Sequence, residues 1–386
     1  MIFEIGVLAI IVILLALLWL RRPSASRRAA TAKTAHKTTT SPMNPAAAQR
    51  AMASAGAAEA ASAASASADE PGAPRETPAP LLALRIITRD DLDAGAQAQV
   101  EAICRAMPEP HPVQKHMAGG LDTPEELLDA VVTDAGLTAA ILRTVNSAAF
   151  ALATPITSVQ HAINYLGVGM VKGLVAQSVV AENTLEGTPE QQAALARVWR
   201  SACSASAFAQ LLGQELGLSR PSVLSTKSLF FNLGDVALVL GVDGATQWYE
   251  EGISIVARIE AQQAACGANT AIVGAELARL WKLPPDLVAA IETGFLPLNT
   301  PAAEHPMSGE ERQANIIVFL AGRIGDRISY RALRDIAELP LGSEDEPGLF
   351  FLPEHLSSAG LGRAPGLLQS PAFRRKANKL ISTLAP

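Results

Sequence analysis

The chain is expected to fold as an all-α protein, a multi-helix bundle preceded by a single transmembrane helix and a disordered linker. Three observations carry that expectation. From about Asp91 onward, apolar residues recur at three-and-four spacing, with no sustained strand-like alternation. The segments marked in this way start at capping residues and stop at glycine or before proline. Ahead of them stands one long apolar run, followed by a stretch with few large apolar side chains.

The apolar run is Ile2 to Leu20, IFEIGVLAIIVILLALLWL, with Glu4 as its only charge. A helix of roughly 19 residues at ~1.5 Å each spans about 28 Å, close to one hydrocarbon core. A cleaved signal peptide would have a basic start, a shorter apolar run and a small-residue cleavage site. Here the charges come afterwards instead: Arg21, Arg22, Arg27, Arg28, Lys33 and Lys37, with no acidic residue until Glu59. The positive-inside rule places that flank and all that follows in the cytoplasm, where the same charges can also rest on anionic lipid. A nucleic-acid-binding arm is the weaker reading, because the basic residues adjoin an apolar span and no aromatics are interleaved; no nucleic-acid partner is expected. Residues 21–80 are basic and then Ala/Ser/Pro-rich, with too little apolar surface to offset the entropy of ordering. As a flexible coil this linker would reach about 40 Å.

Order returns near Leu81. Leu82, Leu84, Ile86 and Ile87 suit a short extended piece or a helix start equally well. Asp91 to Ala106 reads as a helix with Val100 and Ile103 inward. Thr123 can cap a helix that has Pro124 at its first position and Glu125 and Glu126 in its first turn. Asp134 can cap a second, with Leu137, Ile141, Leu142 and Val145 on one face. Thr157 or Ser158 starts a third, ended by Gly167, and Met170 to Val179 makes a fourth. Pro189 to Leu216, Ser222 to Leu240, Ile253 to Cys266, Thr270 to Trp281 and Asp286 to Thr293 continue the pattern. The expected core includes Leu137, Ile141, Leu142, Val145, Phe150, Ile163, Leu166, Phe208, Phe231 and Leu280. Trp199, Trp248 and Trp281 are read as core residues and not as a base-stacking platform. Glu310 to Ile328 and Tyr330 to Leu339 read as two further helices, and Pro371 to Leu384 as a short basic one. These could complete the core or offer a docking face, and the pattern does not choose.

Two stretches carry a family resemblance. Asp134 to Phe150 reads D-x-x-L-T-A-x-I-L-R-x-V-N-S-A-A-F, and Pro155 to Gly167 reads P-I-T-S-V-Q-H-A-I-N-Y-L-G. In this order they closely resemble the HDOD family, the HD-related output domains of bacteria, with the resemblance running over 107–298. It implies an HD-like bundle at 81–300; the C-terminal helical extension at 301–386 and the anchor in the bacterial inner membrane lie outside the resemblance and are read from the residue pattern alone. The resemblance further implies a signalling or regulatory output module.

Related metal-dependent HD hydrolases hold divalent ions with a His, a His-Asp pair and further His or Asp residues, and the ions activate water. The resemblance places the first His on Ser201, or on Arg200 if the register slips by one. The L-L-H-D-I-G core falls on FFNLG, with the pair read as Asn232 and Leu233. The His before x-x-x-G-A-x-L-A-x-x-W-x-L-P becomes Thr270, and a later His pair becomes Gly294 and Phe295. None of these is a strong divalent ligand. Asp235 stands nearby, read as a helix cap or the partner of a local Arg. His161 and His305 fall off the pattern and are read as partly exposed. His111 and His116 lie on a Pro-broken stretch and are read as solvent-facing.

Other chemistries lack their signatures. There is no GxSxG elbow, GxxxxGK[ST] loop or HExxH. GVGMVKG, at Gly167 to Gly173, follows a helix where a phosphate loop would follow a strand. Cys104, Cys203 and Cys266 are far apart and odd in number, which fits reduced thiols. The sequence therefore predicts no catalytic, cofactor-binding or metal-binding residues and no cofactor. It points to a non-catalytic, membrane-tethered regulatory protein that acts through unidentified protein partners. The alternatives are a divergent HD phosphohydrolase and a nucleotide sensor using the pocket left by the lost ligands.

Overall fold

Helix capping sets the element boundaries in this protein. The computed structural model describes residues 76–109, 117–118, 123–132, 134–146, 155–183 and 187–384, and every regular element among them is a helix. The apolar run at 2–20, its basic flank, residues 21–75 of the linker, His111, His116 and Phe150 lie outside the described residues.

The first group comprises α1 (Ala79–Ala83), α2 (Ala94–Ala106), α3 (Pro124–Val132), α4 (Ala135–Val145), α5 (Val159–Leu166) and α6 (Val168–Asn183). Asp93 starts α2 by accepting from the Ala96 N–H at 2.8 Å. Thr123 and Glu126 exchange hydrogen bonds at 3.0 and 3.2 Å in a capping box at α3. Asp134 caps α4 and Ser158 caps α5. Gly167, at a φ of 84°, turns the chain out of α5 into α6.

The second group comprises α7 (Pro189–Glu215), α8 (Pro221–Phe230), α9 (Leu233–Gly241), α10 (Ile255–Cys266), α11 (Thr270–Leu280), α12 (Pro285–Glu292) and α13 (Leu296–Asn299). It is completed by α14 (Gly309–Tyr330), α15 (Leu352–Ser358), α16 (Ala364–Gln369) and α17 (Pro371–Leu384). Burial divides into two apolar clusters. One gathers α2 to α6 with α9, α11, α12 and the end of α8; the other gathers the start of α8 with α10 and α14 to α17. Helix α7 joins them, giving Leu195, Val198 and Ala202 to the first and Phe208, Ala209 and Leu212 to the second.

Several expectations need correction. Ser222 to Leu240 is two helices, because the chain turns at Phe231 and Asn232 so that the start of α9 can meet α11 closely. A Cβ on Gly234 would lie 2.0 Å from the Thr270 carbonyl oxygen. Although Pro221–Gly241 is long and apolar enough to cross a membrane, 83% of its apolar window is buried inside the protein, so it is core. Tyr330 to Leu339 is not a helix. Ala332 takes a φ of 51°, which ends helical geometry, and only a 3₁₀ turn forms later at Ile336–Glu338. Leu280 is 51% exposed because the buried stripe of α11 runs through Val273, Gly274, Leu277 and Ala278 and leaves the helix's last residue outside. Leu142 and Leu166 are half-buried against the first cluster. Leu137, Ile141, Val145, Ile163, Phe208 and Phe231 are buried, as are Trp199 and Trp248. The question left open about α14 is resolved by its burial. Ile316, Ile317, Phe319, Leu320, Ile324 and Ile328 all point into the second cluster, so α14 is core.

His305 is also corrected: it is 7% exposed and lies edge-on to the fully buried His355, with centroids 5.3 Å apart. His305 pairs with the Asn315 side chain at 3.0 Å and accepts from the Met307 N–H at 3.3 Å. His355 meets the Thr300 carbonyl at 2.8 Å, so its Nε2 carries the proton, and its Nδ1 finds no partner among the described residues. A second proton there would be buried without an acceptor. Burial accordingly pushes the His355 imidazole down to about 4, with His305 and Arg312 adding to the effect and the Thr300 carbonyl opposing it.

Two measurements check this packing. A Cβ on Gly325 of α14 would fall 2.3 Å from the Ser201 carbonyl oxygen of α7, whereas one on Gly366 would meet nothing. Gly325→Ala should cost about 1–3 kcal/mol, and Gly366→Ala should stabilise by up to about 1 kcal/mol, both read by denaturant unfolding. For His355, the folded value lies below the unfolded one, so the unfolded chain binds the extra proton between the two. Stability should be steady above pH ~6.5 and fall towards pH ~4. Thermal melts of His355→Gln should fall less steeply across that window.

Candidate functional site

The positions that the HD pattern marks fall into two chemically different groups. One group is apolar. Phe231 packs edge-to-face on Phe295 with centroids 5.4 Å apart, and a Cβ on Gly294 would lie 1.9 Å from its ring. Counting back along the chain, and not this contact, corrects the register. With Gly234 as the final glycine of L-L-H-D-I-G, the His-Asp pair falls on Phe231 and Asn232, and Leu233 takes the place of the Ile. The ring that touches Gly294 and Phe295 is thus the one standing where the pattern has its His. Leu233 is buried in the first cluster, and Asn232 is buried at the start of α9.

The other group is polar and buried. Ser201, on α7, donates to Asp326 Oδ1 at 2.8 Å. Asp326 also receives Arg323 Nη1 at 2.9 Å and the guanidinium of Arg258. Asp235, near the start of α9, accepts from the Tyr249 hydroxyl at 2.9 Å and from Gln262 Nε2 at 3.3 Å. Its partners are therefore a phenol and an amide. Gln262 in turn accepts from the Thr270 N–H at 3.0 Å. Ser201 thus joins Asp326, and Thr270 joins Asp235 through Gln262; the two hydrogen-bonded sets meet where Arg258 lies over the Tyr249 ring.

At this meeting point is Arg258, 2% exposed on α10. Its guanidinium carbon lies 5.0 Å from the Tyr330 ring centroid and 5.7 Å from that of Tyr249. Burial works against its charge, but Asp326, Tyr330 and Asp235 more than reverse this and keep it protonated. Burial likewise pushes Asp326 up, while Arg258, Arg323 and the Ser201 hydroxyl pull it below the usual carboxylate range. Asp235 goes the other way. Its burial outweighs Arg258 and the Tyr249 bond, which raises its carboxyl.

A divalent metal does not fit this set. The two carboxylates already face a buried guanidinium, and among the described residues no group of three or more His, Cys, Asp or Glu could hold an ion. Arg258, Asp326, Arg323, Tyr249 and Gln262 went unnoticed in the sequence. A partial signal was present: Arg258 shares its helical face with Ile255 and Ala261, whereas Asp326, flanked at that spacing by Gly322, Arg323, Ser329 and Tyr330, carries none.

Two openings lie near these helices. A cleft of about 690 Å³ runs between α8, α12 and the first half of α14, with an apolar floor at Leu224, Val318 and Leu361 and charges of both signs on its rim. A much smaller recess of about 20 Å³ lies over Arg323 and Asp326, rimmed by Arg327, Arg331 and Glu346. The three thiols are buried, and burial pushes those of Cys104 and Cys203 up to about 12.

None of the curated proteins matches the chain. Among solved structures it is similar to a candidate phosphohydrolase of Shewanella amazonensis SB2B, at 21% identity over 75% of this chain and 98% of that one, with a TM-score of 0.45. It is similar to an HDOD domain protein of Geobacter sulfurreducens at 18% identity over 75% and 98%, with a TM-score of 0.48. The MmoQ response regulator of Methylococcus capsulatus Bath is 19% identical over 71% of this chain and 96% of that one, with a TM-score of 0.36. The family model of the HDOD domain matches residues 115–294, the span that holds the two motif stretches and most positions of the HD pattern. Residues 115–294 of this chain are an HDOD domain.

Proposed function

We propose that this protein is a membrane-tethered regulatory protein whose HDOD domain acts by binding and not by hydrolysis. One observation carries the reading: the buried cation opposite Asp235 and Asp326 is the Arg258 guanidinium. Hydrolysis by an HD centre depends on a divalent ion that holds and acidifies a water at an open coordination position. A guanidinium donates hydrogen bonds but offers no open coordination position. The residues at the pattern positions point the same way. Phe231, Leu233, Gly294 and Phe295 bring apolar surface, and Ser201, Asn232 and Thr270 bring neutral polar groups. The partner is a protein in a signalling pathway, reached by a cytoplasmic domain on a flexible tether.

Protein purified without chelator should contain no stoichiometric manganese or iron and should release no product from cyclic dinucleotides or nucleotides. Stoichiometric metal, or turnover that disappears on Asp235→Ala, would replace this reading with a divergent phosphohydrolase. The tether has its own check. The full chain should sediment with the inner membrane and resist carbonate, while removal of residues 1–22 should release a soluble, folded protein. Extraction of the full chain by high salt alone would count against a spanning segment.

A further inference from the structure

Helix α14 carries Arg323 and Arg327 one turn apart, with Arg331 capping its end, and two of these guanidiniums meet one loop carboxylate, Arg331 donating also to the Gly252 carbonyl. Arg327 Nη1 and Arg331 Nη1 each donate to Glu346 Oε2 at 2.6 Å. Arg323 turns inward to Asp326, with Arg258 behind it. Four guanidiniums thus face Asp326, Glu346 and, deeper, Asp235. The donors outnumber the acceptors supplied. Nε of Arg258, Arg323 and Arg327 and Nη1 of Arg258 are buried with no hydrogen-bond partner among the described residues. Unpaired buried donors are costly, so a cluster of them marks a place where acceptors are wanted.

Glu346 lies in the segment Ser343-Glu344-Asp345-Glu346-Pro347-Gly348, which closes on itself. The Gly342 N–H bonds to the Leu349 carbonyl at 2.9 Å, and Gly342 takes a φ of 74°. The loop is therefore anchored at its base, while Glu344 and Asp345 stand exposed at its tip. The recess beneath it, about 20 Å³, has room for about one water and no larger ligand.

We propose that Arg323, Arg327 and Arg331 form a binding site for a phosphate group, which the Glu346 carboxylate of the 342–349 loop occupies as an internal stand-in. The preference for phosphate over carboxylate follows from stoichiometry. Each guanidinium brings five donors, a carboxylate accepts with two oxygens, and a phosphoryl group offers at least three. Displacing Glu346 exchanges one acceptor group for a richer one and frees an acidic loop at the protein surface, which gives a ligand-dependent change for a partner to read. Asp326 stays bonded to Ser201 and Arg258 throughout, so the fold does not depend on the exchange. The inference rests on the reading of the domain as a binding module and supplies the chemistry of its ligand.

The test is calorimetric titration of the full chain with inorganic phosphate, with acetate as the carboxylate control and circular dichroism as the check on folding. Glu346→Gln should bind phosphate at least tenfold more tightly than the native chain, the E346Q/R327Q double variant should lose that gain, and acetate should not reproduce it. No gain in Glu346→Gln, a gain kept in the double variant, or an equal gain with acetate would each overturn the proposal. On the native chain, rising phosphate should speed cleavage after Glu344 by a Glu-specific protease; unchanged cleavage would count against displacement of the loop. Nucleotide turnover in any of these proteins would refute the non-hydrolytic reading without altering the phosphate titration, so the two failures are distinguishable.

Discussion

The described part of the molecule turns on the crossing of α7 and α14, where Ser201 and Gly325 bring two backbones together and Asp326 is fixed beside them. Gly325 permits the approach, and the Ser201 hydroxyl and the Arg258 guanidinium both reach the Asp326 carboxylate. A buried ion pair returns little net stability, because both charges must leave water. Its effect lies in what it forbids. Any slip of α14 along α7, or of α10 against either, would leave a buried charge without its partner, at a cost of several kcal/mol. Apolar packing alone, in clusters built from interchangeable Leu, Ile and Ala, would tolerate such a slip far better.

The same network organises the positions that the HD pattern marks. Part of the pattern has become hydrophobic: Phe231 fills the space that the missing side chain of Gly294 leaves beside Phe295. Another part has become a neutral polar shell around one internal cation. At the centre of the polar half is an arginine that lies over two tyrosine rings. The face of α14 beyond it, with Arg327 and Arg331 against Glu346, is the more accessible charged surface of this region.

Much of the helix inventory was legible from the chain. Thr123, Asp134 and Ser158 cap the helices they were expected to cap, and Pro371 to Leu384 is a helix with the expected limits. These signals act within one helical turn, so local sequence contains them whole. The failures share a cause. The break at Asn232 follows from the need of Gly234 to meet Thr270, and the exposure of Leu280 from where α11 stops packing. Neither partner lies within a turn of the residue concerned. His305 was misjudged for the same reason, since its burial depends on His355, fifty residues further along.

Composition, capping and periodicity by themselves determined an all-helical protein and the place of most of its helices. Those properties belong to single residues or to neighbours within a turn. Only the tertiary structure decided that α14 is core, that the pattern positions separate into an apolar and a polar half, and that Arg258 and Asp326 meet at the centre. Ser201, Asp235, Arg258 and Asp326 come from four different helices, and no periodicity links them. A charge on an apolar face announces that a partner must exist, but only the packing of the helices identifies which one it is.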